Sequence, residues 1–278
     1  MISIPKFPLG KIIETFINFL VEHFSFATKA FSVALSSLLD VVEDGMMSLP
    51  PWLFILIAAA LAYKLTRGNK GITMLTLLGL GLIWNLGLWE ATLSTIALVL
   101  ISTVVTISIG IPLGIAAAMN RTAYRMVMPV LDVMQTMPAF VYLIPAIPFF
   151  GLGKVAAIFS TVIFAMPPAI RLTCLGVKQV PSELVECAEA FGSNRWQRLV
   201  KLELPLAMPT IMAGVNQTVM LALSMVVVAA MIGAKGLGGE VWKAIQRLQM
   251  GHGFEAGIGI VIVAIILDRV LQKVGANK

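Results

Sequence analysis

The chain has 278 residues, of which 59% are hydrophobic and 12% charged. A water-soluble domain is about a quarter charged, so this composition excludes a solvent-covered globule and leaves the bilayer as the fitting solvent. The formal net charge of +6 then reads as loop lysines and arginines that orient the chain in a membrane, not as a nucleic-acid surface.

A membrane span needs about 20 mostly apolar residues, so the length allows six or seven spans with short loops. Cys174 and Cys187 form no CxxC or Cys/His cluster, and His23 and His252 lie far apart in sequence, so neither a disulfide framework nor a metal site is expected. Glu14, Asn18 and Glu22 interrupt any apolar signal-peptide core behind Lys6 and Lys11.

Residues 11–44 carry polar side chains every three or four positions, among them Glu14, Asn18, Glu22, Lys29, Ser36 and Asp40, with Phe16, Leu20, Phe31, Leu35 and Leu38 between them. That period is helical with one apolar face. The charges are too evenly spread for a span, which predicts one or two helices in the membrane interface plane within residues 1–48. A hairpin packed on the bundle is the alternative.

Residues 49–278 hold the predicted spans, at 52–63, 71–89, 91–119, 127–150, 155–177, 206–233 and 256–271. Trp84 and Trp89 are expected to anchor the second at the interface. The span at 127–150 is broken by Pro129, Pro138, Pro145 and Pro148. Gly110 and Gly114 have the GxxxG spacing of a close helix contact.

Placing the loops at 64–70, 120–126 and 178–203 and the C-terminus on one side gathers thirteen of the twenty Lys and Arg there. The positive-inside rule makes that side cytoplasmic. Seven spans then put the N-terminal segment outside.

The polar stretch at 183–209 reads ELVECAEAFGSNRWQRLVKLELPLAMP. Its pattern is a short helix, a glycine break and a second short helix ending at Pro205. Ala188 and Gly192 are small and four apart, so another surface can approach. Phe191, Trp196 and Leu199 offer apolar anchors, with Arg195, Arg198 and Lys201 as a charged rim. Aromatics ringed by charge suit a docking surface.

The spacing of Glu186-Cys187-Ala188, Gly192 and Leu202-Glu203-Leu204-Pro205 resembles the EAA loop of ABC importer permeases, with Cys187 and Leu202 as the two departures. The runs LDVMQTMPAFVYLIP (131–145), FAMPPAIRLT (164–173) and LALSMVVVAAMIG (221–233) are similar to permeases for glycine betaine, proline betaine, carnitine and choline.

The resemblance implies an all-α polytopic membrane protein with the transmembrane fold of a type I ABC importer. It implies an ATPase-coupling loop at 178–205, with Glu186, Ala188, Phe191, Gly192, Arg195, Leu202, Leu204 and Pro205 in contact with the ATPase. The glycine stretches at 68–71 and 151–154 lack Walker A spacing, so ATP and Mg belong to a separate ATPase and this chain is not expected to be an enzyme. Implied partners are two ATPase copies, a second permease copy forming a homodimer, and an extracellular solute-binding protein. No solute-binding domain is expected behind the last span.

Polar residues inside a membrane are costly and mark pathways or packing. Asp132, Gln135 and Thr136 lie near one face of the proline-broken span, and Asn216 and Gln217 lie in the sixth. A quaternary ammonium suits aromatic and sulfur-rich walls, which makes Met134, Met137, Phe140, Tyr142 and Met225 pathway candidates. Arg171 is expected to snorkel toward the cytoplasm. Two alternatives stay open. One is an ABC permease for another small solute. The other is an ion-driven carrier, which calls for acidic ion sites at depth; Asp132 is the one acid placed there.

Overall fold

In a computed structural model, residues 8–275 are described. Helix α1 is Leu9–Met47, α2 Pro51–Leu65, α3 Lys70–Asn85 and α4 Trp89–Met119. Helix α5 is Arg121–Thr136, followed by a 3-10 turn at Ala139–Tyr142 and α6 at Leu143–Phe150. Helix α7 is Lys154–Lys178, α8 Ser182–Ala190 and α9 Arg195–Arg198, which runs through a π turn at Leu199–Glu203 into α10, Leu204–Ala230. Helix α11 is Leu237–Gln246 and α12 Met250–Gly275. No strand occurs among the described residues.

Three helical stretches among the described residues are each long and apolar enough to cross a bilayer alone: Trp89–Met119, Lys154–Lys178 and Arg195–Ala230. The number rises to five if each sharply bent helix pair counts as one span.

Helix α7 is the axis of the fold, with α4 packed along one side and α10 along the other. The contacts are made by small residues. A Cβ on Gly110 would lie 2.8 Å from the Cβ of Ala169, and one on Gly114 would lie 2.6 Å from the carbonyl oxygen of Ile170. The close approach expected of the GxxxG spacing is therefore made between α4 and α7. Apolar burial does not drive helices together in lipid, so such backbone proximity supplies much of the packing attraction. On the other flank, Gly214 faces Leu172 and Gly176 faces Ala207.

Several hydroxyls inside this core bond to the preceding turn. Thr106, Thr161 and Thr218 each donate to the carbonyl four residues back, which keeps a polar group satisfied without water. Thr95 instead accepts from the Leu237 amide at 2.8 Å, tying α4 to the start of α11.

The region 127–150 is two helices meeting at 113°. Proline disfavours a helical conformation in the residue before it. Met137, preceding Pro138, is accordingly extended at φ −74° and ψ 132°. The Tyr142 hydroxyl donates to the Met134 carbonyl, and its ring packs edge-on against Phe164 with centroids 5.7 Å apart, so the bend is pinned from inside. Gly151 and Gly153 then turn the chain at positive φ.

The second predicted span ends earlier than expected, at Asn85. Trp89 begins α4, is buried, and packs edge-on against Phe54 at 5.5 Å. It is a core residue and not an interfacial anchor, whereas Trp84 is exposed.

Helix α1 bends by 77° between Gly10–His23 and Thr28–Met47. Its second part packs on α4, α6 and α7, with Leu35, Leu39 and Glu43 buried. The Lys154 ammonium bridges Asp40 at 3.1 Å and Glu43 at 2.5 Å, and the Ser94 hydroxyl donates to the same Glu43 carboxylate.

A buried carboxylate that loses one partner costs more than the pair contributes. Lys154→Met is expected to lower the melting temperature of the purified protein by an amount matching roughly 1–3 kcal/mol. The double variant Glu43→Gln/Lys154→Met should recover part of that loss.

Candidate coupling elbow and translocation surface

The polar stretch after α7 folds as an elbow between α7 and α10. Helix α8 ends at Ala190 with Phe191 as its cap, and Gly192 reverses the chain at φ +81°, a left-handed conformation that favours glycine. The next helix starts with a reciprocal cap. The Asn194 side chain accepts from the Gln197 amide at 2.8 Å, and the Asn194 amide donates to the Gln197 side chain at 3.0 Å. The N-x-x-Q spacing of Asn194 and Gln197 was the available sequence signal for this cap.

Arg198 closes the elbow, with ion pairs to Glu189 on α8 and, at 2.8 Å, to the buried Glu203. It is an internal tie and not part of a charged rim. Leu199 likewise points inward, packing with Val177, Ala207 and Ile211. It fastens the elbow to the bundle and offers no anchor to a partner. A helical elbow presents several faces, and only the neighbouring spans decide which one is covered.

What remains outside is specific. Phe191 is 86% exposed and Trp196 71%. Glu186, Gly192, Arg195 and Pro205 are exposed around them, and Ala188, Leu202 and Leu204 are half-buried. A Cβ on Gly192 would meet nothing within 4 Å. The elbow thus presents two large aromatic rings and an open glycine on a framework held by internal ion pairs and a cap. Beside it, Lys178 at the end of α7 lies 3.3 Å from the centre of the Tyr124 ring on α5.

The sequence-derived pathway residues divide into two groups. Asp132, Gln135, Thr136 and Phe140 are exposed on α5 and the turn after it, with Met134 and Met137 half-buried beside them. Met225 is fully buried in the core and lines no surface of the single chain. Tyr142 is buried at the bend. Arg171 does not snorkel alone: its Nη2 donates to the Asp132 carboxylate at 2.8 Å, joining α7 to α5.

Asn216 on α10 donates to Asp268 on α12 at 2.8 Å, and Gln272 donates to the same carboxylate at 2.7 Å. Asp132 is therefore not the one acid within the helical bundle. Asp268 sits beside Arg269 near the end of its apolar run. Gln217 is exposed next to this cluster, on the rim of a 430 Å³ pocket shared by α10 and α12.

Helix α10 is 27 residues long, or about 40 Å, and carries the chain from the elbow to the opposite end of the bundle. There a 770 Å³ cavity is lined by Asp44, Glu90, Lys154, Glu240 and Trp242, among others. Hydrogen bonds from Lys243 and His252 hold the Glu240 carboxyl below its ordinary value.

A family model described as the binding-protein-dependent transport system inner membrane component matches residues 110–273. That span runs from the GxxxG contact through the bend and the elbow into α12. The chain belongs to this permease family. Its similarity to curated members is high along its whole length. It is 49% identical over 278 residues to the glycine betaine transport system permease protein OpuAB of Bacillus subtilis, covering 100% of this chain and 98% of that one.

It is 47% identical to the glycine betaine/carnitine transport permease protein GbuB of Listeria monocytogenes, over 98% of this chain and 97% of that one. It is 45% identical to the glycine betaine/proline betaine transport system permease protein ProW of Escherichia coli, over 97% of this chain and 76% of that one. An inward-facing structure of the MetNI methionine ABC transporter superimposes with a TM-score of 0.59 at 23% identity, covering 68% of this chain and 93% of that one. At that identity the likeness concerns the fold, and it makes this permease an all-helical transmembrane domain of the same kind.

Proposed function

We propose that the chain is the permease subunit of an ATP-driven importer of compatible solutes of the quaternary-ammonium class. The elbow carries this reading: exposed Phe191 and Trp196 beside an open Gly192, on the side of the chain that collects most of its positive charge. Glu186, Ala188, Phe191, Gly192, Arg195, Leu202, Leu204 and Pro205 form the surface that a separate ATPase grips. ATP and Mg sit in that partner, and its closure is passed through α9 and the π turn into α10 as a rigid-body movement. The functions of the relatives at 45–49% identity support the solute class.

The same reading has seven membrane crossings, with residues 1–48 outside and the C-terminus cytoplasmic. Two permease copies pair as a homodimer over two ATPases, and a solute-binding protein docks at the acidic end of the bundle. Solute passes along the exposed face of α5 and the bend, beside Asp132, Met134, Gln135, Thr136 and Phe140. Asn216 and Gln217 stand at a second polar patch, and Tyr142 and Met225 shape the bend and the core behind it. Because a quaternary ammonium is attracted to the face of an aromatic ring, uptake should fall when the exposed Phe140 is replaced by alanine.

The test is reconstitution with the cognate ATPase and solute-binding protein in proteoliposomes. Accumulation of glycine betaine that requires ATP and both partners is expected. Uptake in the absence of the ATPase would overturn the reading in favour of an ion-driven carrier. ATP-dependent uptake of a different solute alone would overturn the solute class.

A further inference from the structure

The Asp132–Arg171 pair sits where an ion pair is least expected. Arg171 lies seven residues before the end of α7, roughly 10 Å along the helix axis, and faces α5. In the single chain the two side chains remain 66% and 38% exposed. They border the same open surface as Gln135 and Thr136. Their contact is a single bond, from Nη2 to one carboxylate oxygen, and not the two-pronged fork that guanidinium and carboxylate prefer. The Arg171 Nε is buried and has no hydrogen-bond partner. Arg171 Nη1 stays outside the ion pair, so the guanidinium keeps a donor for a second carboxylate, on a helix that carries Pro167 and Pro168 in its interior.

Resting on the compatible-solute reading above, we propose that Asp132 and Arg171 form a transit site selective for zwitterions, the solute parting the pair by exchanging partners with it. The solute's carboxylate takes the terminal nitrogens of the Arg171 guanidinium, and its quaternary ammonium moves next to the freed Asp132 carboxylate. A quaternary ammonium has no N–H to donate, so it is held by charge alone, while the carboxylate end is oriented by hydrogen bonds.

Charge balance makes the exchange selective. The empty pair is neutral, and the pair with one zwitterion between its members is also neutral. A purely cationic or purely anionic solute would leave one member of the parted pair without a counter-charge. The closed pair also latches α5 to α7 when no solute is present. Pro129 in α5 and the two prolines of α7 leave both helices with missing backbone hydrogen bonds, so the latch joins two segments able to move.

The complete complex in proteoliposomes, with its ATPase and solute-binding protein, tests this with Asp132→Asn, Arg171→Gln and the double variant. Each single change is expected to lower glycine betaine uptake about tenfold or more. All three variants should be recovered from membranes with the ATPase bound, and the double variant should remain defective in uptake. Uptake restored in the double variant would make the pair a helix tie that needs no charge and would overturn the proposal. Wild-type uptake rates in either single variant, or failure of the variants to assemble with the ATPase, would overturn it too. Failure of the wild-type complex to accumulate any quaternary amine would instead sink the compatible-solute reading.

Discussion

Replacing Gly192 with aspartate is expected to abolish solute uptake while leaving the permease folded and inserted. Within the chain the substitution has little to disturb, since a Cβ at Gly192 would meet nothing within 4 Å. Its internal cost is that of a non-glycine residue at φ +81°, about 1–2 kcal/mol and at the low end for Asp or Asn, which visit this region more readily than other side chains. A large functional loss must then come from what docks there. The new carboxylate would occupy the space that the open glycine leaves beside Phe191 and Trp196, so the ATPase could hydrolyse ATP without moving the spans.

Gly192→Asn is the control for backbone strain, since it carries a similar conformational cost without the charge. Trp196→Ala is expected to weaken ATPase binding by about 2 kcal/mol or more, in the range of an aromatic interface anchor. The readouts are solute transported per ATP hydrolysed in proteoliposomes and co-purification of the ATPase. Normal uptake by Gly192→Asp would remove the docking role from the elbow.

Gly114→Leu should act in the opposite manner, by preventing the fold. A Cβ at this position lies 2.6 Å from the Ile170 carbonyl oxygen and 2.6 Å from the Thr173 Cβ. A backbone carbonyl cannot rotate aside as a side chain can, so α4 and α7 would have to separate. Overpacking of this kind costs about 1–3 kcal/mol for added methylenes, and here the rigid obstacle and the central place of α7 put the effect at the upper end or beyond. Folded protein recovered from membranes should fall steeply, together with its thermal stability in detergent. Gly81→Ala, where nothing lies within 4 Å, should be neutral. Equal stability of the Gly114 and Gly81 variants would show that the α4–α7 contact is not close.

The two glycines are also legible in the sequence for different reasons. Gly192 belongs to a run of fixed spacing, from Glu186 through Pro205, which local helix geometry translates directly into an elbow. Gly110 and Gly114 have only a spacing, which says that something approaches but not what. Their partners Ala169 and Ile170 lie about sixty residues further along the chain.

The candidate surface was partly legible in the same sense. The polar cluster of Asp132, Gln135 and Thr136 is visible as a break in an apolar run, and these residues are exposed together. The partner of Asp132 is not visible in this way, because Arg171 sits on another helix. Nor is the burial of Met225, since a methionine facing lipid and one facing the core look alike in a span. Arg198 and Leu199 turn inward where the sequence suggests docking residues, for a related reason: a four-residue helix has no long period from which to read its inner face, and the inner face is set by Val177, Ala207 and Ile211.

The amino-acid sequence by itself determined the solvent, the helical class, the break at Pro138 and the elbow. These follow from composition, from the roughly 20-residue length of a span and from local chemistry at proline and glycine. Tertiary structure alone decided how the 113° bend folds back, that α1 is clamped to the bundle through Glu43 and Lys154, and which polar groups meet. The reason is that in a membrane both lipid and protein neighbours are apolar. Hydrophobic pattern, which separates inside from outside in water, does not tell the two faces of a span apart; close packing of small residues and the pairing of scarce polar groups do.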